Sequence, residues 1–516
     1  MSNVTTLLAS YGISFDEAKS FIYSNLSTPS VIYEVAGNYG VTFEMLAELY
    51  GQSVTETEVK AFFSYLGFDT SSSKPITEIS YSPNLALALA AYSSTISTVA
   101  ALADESTAYV DSVLGGESWT GDTISYSFPT SIPAAHEDEG TDTSSGWRAL
   151  NSEEQAAFES IVARQNEFTD VDLVEASVSS QADIQVVAVE QTDAEAFAYY
   201  PGDGIGGDIF LNASALDDDS SYYSVGGYGL YTMAHELGHA MGLDHTFEGT
   251  VLDSEYDSLY YSVMSYTIYG GYAVEAELSG RSYSAYTVGA YRDDLGIIDV
   301  AALQALYGAD LTTNTEDNVY IYDESTRMFE DASGYYMTIW DAGGTDTIDV
   351  SDATYGSIIN LDDYSVSSVS QRTAYEEALE VGRAAGLSGS GAVSYIEEFI
   401  ESLGEEAFLN QNNLGIAYGV VIENVITGQG DDFVNDNSVN NLIFTGLGND
   451  TIYLGEGGYD QVDGGDGLDS VVLDVEYDSV SRYLDDDGYH IIGENFAATL
   501  IGIETIHYSD TSESIA

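Results

Sequence analysis

HELGHAMGLDH, His235 to His245, decides how this chain is read. It holds three of the six histidines in 516 residues, at spacings of four and six. On an α-helix, residues i and i+4 share a face, so His235 and His239 can aim two imidazoles at one point. Gly242 permits the left-handed residue that breaks such a helix. The chain can then double back and deliver a third nitrogen from His245. Three neutral imidazoles leave a position open for water, the arrangement that a catalytic zinc ion requires. Glu236 is offset around the helix from His235, so it can serve as general base to that water without ligating the metal. The full H-E-x-x-H-x-x-G-x-x-H pattern has a chance expectation on the order of one in 10⁵ for a chain this poor in histidine. Three buried core histidines are the bland alternative, and the spacing disfavours it.

Composition sets the frame. Against 86 acidic residues stand 11 basic ones, a formal charge of −75. Such a chain repels nucleic acid and anionic membranes, and it needs cations or salt to become compact. At 44% hydrophobic residues it can bury real cores, and its length calls for two to four domains. The absence of cysteine excludes disulfides and thiolate metal sites. The apolar run LALALAAY from Leu85 is too short to span a bilayer. The stretch from Met1 has neither a basic n-region nor an apolar h-region, so no Sec leader is expected.

The chain divides by texture. Residues 1–70 read as a small helical domain, with capping boxes at Ser14/Glu17 and Thr55/Glu58, and residues 71–104 as a Ser/Ala-rich linker or pro-segment. Residues 105–310 mix alternating strand patterns (Ser118–Pro129, Ala182–Glu190) with helical stripes: Ser152–Phe168 with a cap at Ser152, a motif helix, and Asp294–Gly308. From 311 to 516 glycine and aspartate rise, apart from a helical insert near 366–412 that includes Tyr375–Gly386.

Nonapeptides of the form G-G-x-G-x-D-x-U-x begin at Thr427, Thr445, Gly455 and Gly464. DNSVNNLIF from Asp436 keeps the nine-residue register without the glycines, and one extra residue precedes Gly455. Each copy is a glycine-rich turn followed by a short strand. The turns and Asp432, Asp450, Asp460 and Asp469 offer hard oxygens that suit calcium, so stacked copies predict a parallel β-roll. Val434, Ile443, Ile452, Val462 and Val471 recur at the eighth position, as a packed interior demands and a disordered tail does not.

The zinc pattern is the metzincin signature, and SVMSY, Ser262–Tyr266, resembles the Met-turn of that clan. Leu114–Pro129, Ile297–Asp310 and Trp340–Ser351 resemble the serralysins, secreted bacterial RTX zinc metalloproteases. The resemblance covers roughly 105–360 and 415–475. Thr246 stands where serralysins usually carry proline, and the path from His245 to Met264 is short. The resemblance implies that Met264 floors the site and that Tyr266 stabilises the oxyanion. It also implies that Asp341, Gly343, Gly344, Asp346 and Glu423 hold calcium at the base of the roll, with Phe496–Asp510 closing it.

The expectation is therefore a multidomain protein: a small N-terminal α-helical domain, an α+β metzincin catalytic domain, and an all-β calcium-binding parallel β-roll. It would be a monomeric, secreted endopeptidase with one catalytic zinc and several structural calcium ions. Its partners would be protein or peptide substrates and a type I secretion apparatus. A calcium-dependent surface or adhesion protein carrying a dead protease domain is the alternative; losing Glu236 or one histidine would have favoured it, and all four residues are present.

Overall fold

The computed structural model describes residues 109–515 apart from 140–142, 193, 218–219, 280–281, 388, 456 and 486. The expected helical domain at 1–70 and linker at 71–104 lie outside the described residues.

Five strands make the first sheet: β1 (Thr123–Ser127), β2 (Asp172–Glu175), β3 (Ile184–Val189), β4 (Ala196–Ala198) and β5 (Ile209–Asn212). Their order is β2-β1-β3-β5-β4, with every pair parallel except β4–β5. β4 is therefore an antiparallel edge. β3 is buried along its whole length, where the alternating pattern expected at Ala182–Glu190 would bury one face only. The pleat explains this: Val186 and Ala188 join the main core, while Val187 and Val189 face a second cluster with Phe210, Trp147 and Phe197.

Helix α1 (Ser152–Gln165) begins one residue earlier than a cap at Ser152 would allow. Asn151 is the cap: its side chain accepts from Glu153 N and Glu154 N, and Glu154 accepts in return from Asn151 N. Two neighbouring residues both have capping side chains, and the reciprocal glutamate three places on from Asn151 decides between them. Helix α2 (Tyr228–Ala240) carries the histidine motif and is buried from Gly229 to its end. Leu230, Met233, Ala234 and Leu237 of α2 share the main core with Phe158, Ile161 and Val162 of α1. Gly242, at φ +100°, ends the turn after α2; a Cβ there would lie 2.3 Å from Glu117 O, so only glycine fits.

A hairpin follows, β6 (Tyr272–Ser279) with β7 (Ser282–Gly289), and then α3 (Ile297–Tyr307), capped by Gly308 at φ +80°. Farther along, the insert folds as two helices, α4 (Ala374–Ala384) and α5 (Ser390–Leu403). Val274 of the hairpin and Ala378, Val381, Ile396 and Ile400 of these helices form a small core of their own. Ion pairs fasten α4 to the preceding strands: Arg327 and Arg372 both bind the buried Glu377 at 2.8 Å, and Arg372 also binds Glu324.

The C-terminal half is a two-sheet parallel stack. Strands Asn424–Ile426, Leu442–Phe444, Gly458–Asp463 and Phe496–Ile501 pair in one sheet. Strands Phe433–Asn435, Thr451–Tyr453, Ser470–Val472 and Thr505–His507 pair in the other. Val425, Ile443 and Val462 from the first sheet and Val434, Ile452 and Val471 from the second are at most 1% exposed, filling the space between. Val425 pairs with Ile443 eighteen residues on, while Ile443 pairs with Val462 nineteen on. The extra residue before Gly455 is thus absorbed in a turn without slipping the register. Among the described residues no helix is long and apolar enough to cross a membrane.

Candidate metal centre and catalytic cleft

Helix α2 brings His235 and His239 onto one face, and the turn at Gly242 returns His245 to meet them. His235 Nε2 lies 3.2 Å and His239 Nε2 3.1 Å from His245 Nε2. Nitrogens about 2.0–2.1 Å from a tetrahedral zinc ion stand about 3.3 Å apart, so this triad fits that metal. His235 Nδ1–H donates to Val263 O at 2.9 Å and His239 Nδ1–H to Leu243 O at 2.8 Å. Those bonds fix the tautomer and leave each Nε2 lone pair free. Burial and the neighbouring imidazoles push His235 down to about 3 and His239 to about 4, so both stay neutral, as ligands must.

Glu236 is 6% exposed, and its Oε2 has no hydrogen-bond partner among the described residues. Burial pushes it up to about 8. It lines, with His235, Tyr266, Tyr228, Ile268 and Ala196 of the edge strand, a cavity of about 300 Å³. The Tyr266 hydroxyl lies 2.9 Å from His245 Nε2, and its side chain is largely exposed at the mouth. Met264 is fully buried beneath α2; a Cβ on Gly238, between the two helical histidines, would lie 2.6 Å from Met264 Sδ.

Two carboxylates with no role in the sequence analysis hold this geometry. Asp299, near the start of α3, accepts Ser262 Oγ–H at 2.5 Å and Val263 N–H at 2.7 Å. It thereby fixes the carbonyl that orients His235. Asp257 accepts the hydroxyls of Thr246 at 2.5 Å and Ser265 at 2.6 Å, joining the segment after His245 to the turn before Tyr266. Thr246, in place of proline, supplies the donor for that link. A sequence signal for Asp299 existed in its position three residues into a helix, where it also caps Gly296 N; Asp257 offered none.

The acidic residues of the C-terminal half form ladders. Asp432 Oδ1 accepts Ser357 N, Asp450 Oδ1 accepts Asp432 N, Asp469 Oδ1 accepts Asp450 N, and Glu504 accepts Asp469 N, at 2.6–2.9 Å. On the other edge Asp346 Oδ1 accepts Asn318 N, Glu423 accepts Asp346 N, and Asp460 Oδ1 accepts Asn441 N. Asp346, Asp450, Asp460 and Asp469 each keep the second oxygen buried and bare. Burial, with Asp432 adding, pushes Asp450 up to about 8. Bare, buried carboxylate oxygens beside glycine-rich turns fit a hard cation such as calcium. Asp341 is engaged at both oxygens, by Gly343 N at 2.9 Å and the Tyr320 hydroxyl at 2.6 Å. Gly343 and Gly344 follow it at φ +141° and +159°. At the glycine-free copy the chemistry differs: Asn441 Nδ2 donates to Glu423 O and Asn437 Nδ2 to Ile422 O, so amides occupy those carbonyls.

Residues 118–265 match the matrixin family of M10 peptidases, and residues 309–408 match the M10 serralysin C-terminal family. The second match runs across α4 and α5. Among curated proteins the chain resembles Serralysin B of Dickeya chrysanthemi, 33% identical over 47% of this chain and 43% of that one. It resembles Serralysin of Photorhabdus luminescens at 29% over 58% and 55%, and Metallopeptidase AprA of Pseudomonas marginalis at 32% over 49% and 47%. The chain spans about half the length of these relatives. Matched in order along the catalytic fold and the all-β region after it, the two M10 families make residues 118–265 and 309–408 similar to the catalytic and C-terminal regions of the serralysin-like metzincins.

Proposed function

We propose that this protein is a zinc-dependent endopeptidase that hydrolyses proteins outside the cell and is stabilised by calcium in its C-terminal half. One observation carries the reading: three Nε2 atoms converge at the edge of a cavity that also holds the buried, unpartnered Glu236 carboxylate. When bound by His235, His239 and His245, zinc supplies Lewis-acid polarisation of a peptide carbonyl and lowers the pKa of water. Glu236 takes the proton of the attacking water and returns it to the leaving amine. The Tyr266 hydroxyl donates to the developing oxyanion. The free edge of β4 offers main-chain hydrogen bonds to an extended peptide, and the cavity beside it receives one substrate side chain.

We assign the catalytic domain to 105–310 and the roll to 311–516, with Met264 and Gly242 as structural supports of the site. Calcium would be held by Asp432, Asp450, Asp460 and Asp469 along the turns, and by Asp341, Gly343, Gly344, Asp346 and Glu423 at the base. A roll that closes only at the millimolar calcium found outside cells suits export as an unfolded chain through a type I apparatus. Casein hydrolysis by the purified full chain tests the function: it should vanish in a zinc chelator and return with zinc. Hydrolysis that persists after complete metal removal would overturn it.

A further inference from the structure

The three imidazoles are not held alike. His235 and His239 each give Nδ1–H to a backbone carbonyl. His245 Nδ1 is buried and has no hydrogen-bond partner among the described residues. The nearest carboxylate, Glu248, is more than half exposed and stands 3.6 Å away, outside hydrogen-bond range. Two aromatic side chains touch the third ring: Tyr266, tilted with its centroid 4.8 Å away and its hydroxyl 2.9 Å from Nε2, and Phe247, the one that stacks on its face. Its ring lies within 9° of parallel to the His245 imidazole, with centroids 4.9 Å apart, and it also meets Tyr266 at 5.0 Å. Phe247 is 36% exposed, so core packing does not account for an aromatic ring at this position. The link from Thr246 to Asp257 holds the segment just after His245 and does not itself set the rotation of its imidazole.

We propose that Phe247 is the positioning residue for His245, its ring face doing for the third imidazole what backbone carbonyls do for the first two. The inference rests on the zinc reading above. An imidazole that gives its lone pair to a dication becomes electron-poor, and an aromatic face carries the negative end of its quadrupole, so stacking strengthens when metal binds. The ring also shields one face of the ligand from water. His245 is then the most readily released of the three ligands, and the residue at 247 grades how firmly it is held.

Competition for zinc against a chromophoric chelator, with kcat and KM measured on the same full-length preparations, tests this. Phe247→Ala should weaken zinc binding about 10-fold, the lower end for loss of a partner that orients a ligand. Release should quicken to match, and added zinc should restore most of the lost kcat. Phe247→Tyr should stay within about 3-fold of wild type because the ring face survives. Phe247→Leu, apolar but faceless, should resemble alanine. Glu248→Gln should shift zinc affinity by less than about twofold, as an exposed charge at that distance would. Wild-type affinity and release in Phe247→Ala, full retention in Phe247→Leu, or a larger loss in Glu248→Gln would each overturn the proposal. A wild-type chain that takes up no zinc would instead sink the endopeptidase reading, and this one with it.

Discussion

Removing calcium should unfold the C-terminal half, and the structure sets the size of the effect. Asp346, Asp450, Asp460 and Asp469 each spend one oxygen on a backbone amide and leave the other buried without a partner. A buried polar atom left unsatisfied costs about 1–3 kcal/mol, and more when charged. Four such oxygens cost about 4–12 kcal/mol on that scale. A whole domain commonly has only about 5–15 kcal/mol of net stability, so the cation-free roll is near or past its limit. Calcium coordination would satisfy those oxygens, so that its binding free energy becomes folding free energy. For a half-chain of this size the loss corresponds to a fall in Tm of roughly 10 °C or more. Thermal unfolding of the full chain, followed by far-UV circular dichroism in millimolar calcium and in a calcium chelator, measures it. Magnesium should not substitute, because it demands a tighter octahedral shell. Superimposable melting curves with and without calcium would refute the reasoning, since the bare oxygens would then be satisfied by something else.

Two further outcomes follow from buried charge. Glu377→Ala leaves the guanidinium groups of Arg327 and Arg372 without their shared partner; it should cost about 3–5 kcal/mol by denaturant titration, and a loss below about 0.5 kcal/mol would contradict the pairing. Asp293 is fully enclosed, and burial pushes it up to about 7 from 3.8, with Asp294 adding and Arg292 and the Gly226 amide opposing. A folded pKa above the unfolded one means relative stability is greatest below about pH 4 and is lost as pH rises through about 7. Asp293→Asn should therefore stabilise the fold little at pH 4 and increasingly up to pH 8, its advantage growing by at most about 1.4 kcal/mol for each pH unit in between. An advantage that does not change with pH would contradict this.

Much of the site was legible because its logic is local. Two histidines at helical spacing, a glycine that ends the helix and a third histidine beyond it determine where the nitrogens meet, and the structure brings both helical nitrogens within 3.2 Å of His245 Nε2. The roll was legible because a nine-residue period repeats, and an aliphatic residue in each copy has nowhere to go but inside. What escaped reading was non-local. Asp299 and Asp257 act on residues 36 and 11 positions away through bonds that no spacing rule announces. The β6–β7 hairpin is half exposed and mixes alanine, glutamate and tyrosine, so its period is blurred. Helix α5 buries only Ala392, Val393, Ile396 and Ile400, a narrow stripe facing α4 and the hairpin. Phe247 could have been seen as an aromatic beside a ligand, but its parallel stacking on His245 is visible only in three dimensions.

We assign Glu236 to proton transfer on substrate at a site where His235, His239 and His245 would hold the metal. Glu236→Ala removes the buried carboxylate and leaves His235, His239 and His245 with their carbonyl and ring contacts. Zinc content and casein hydrolysis should be measured on the same purified variant. The expected result is about one zinc per chain, as in wild type, with kcat/KM lower by about 10²–10⁴ or more. Hydrolysis within tenfold of wild type at full zinc occupancy would contradict the assignment and move the proton transfer to another group.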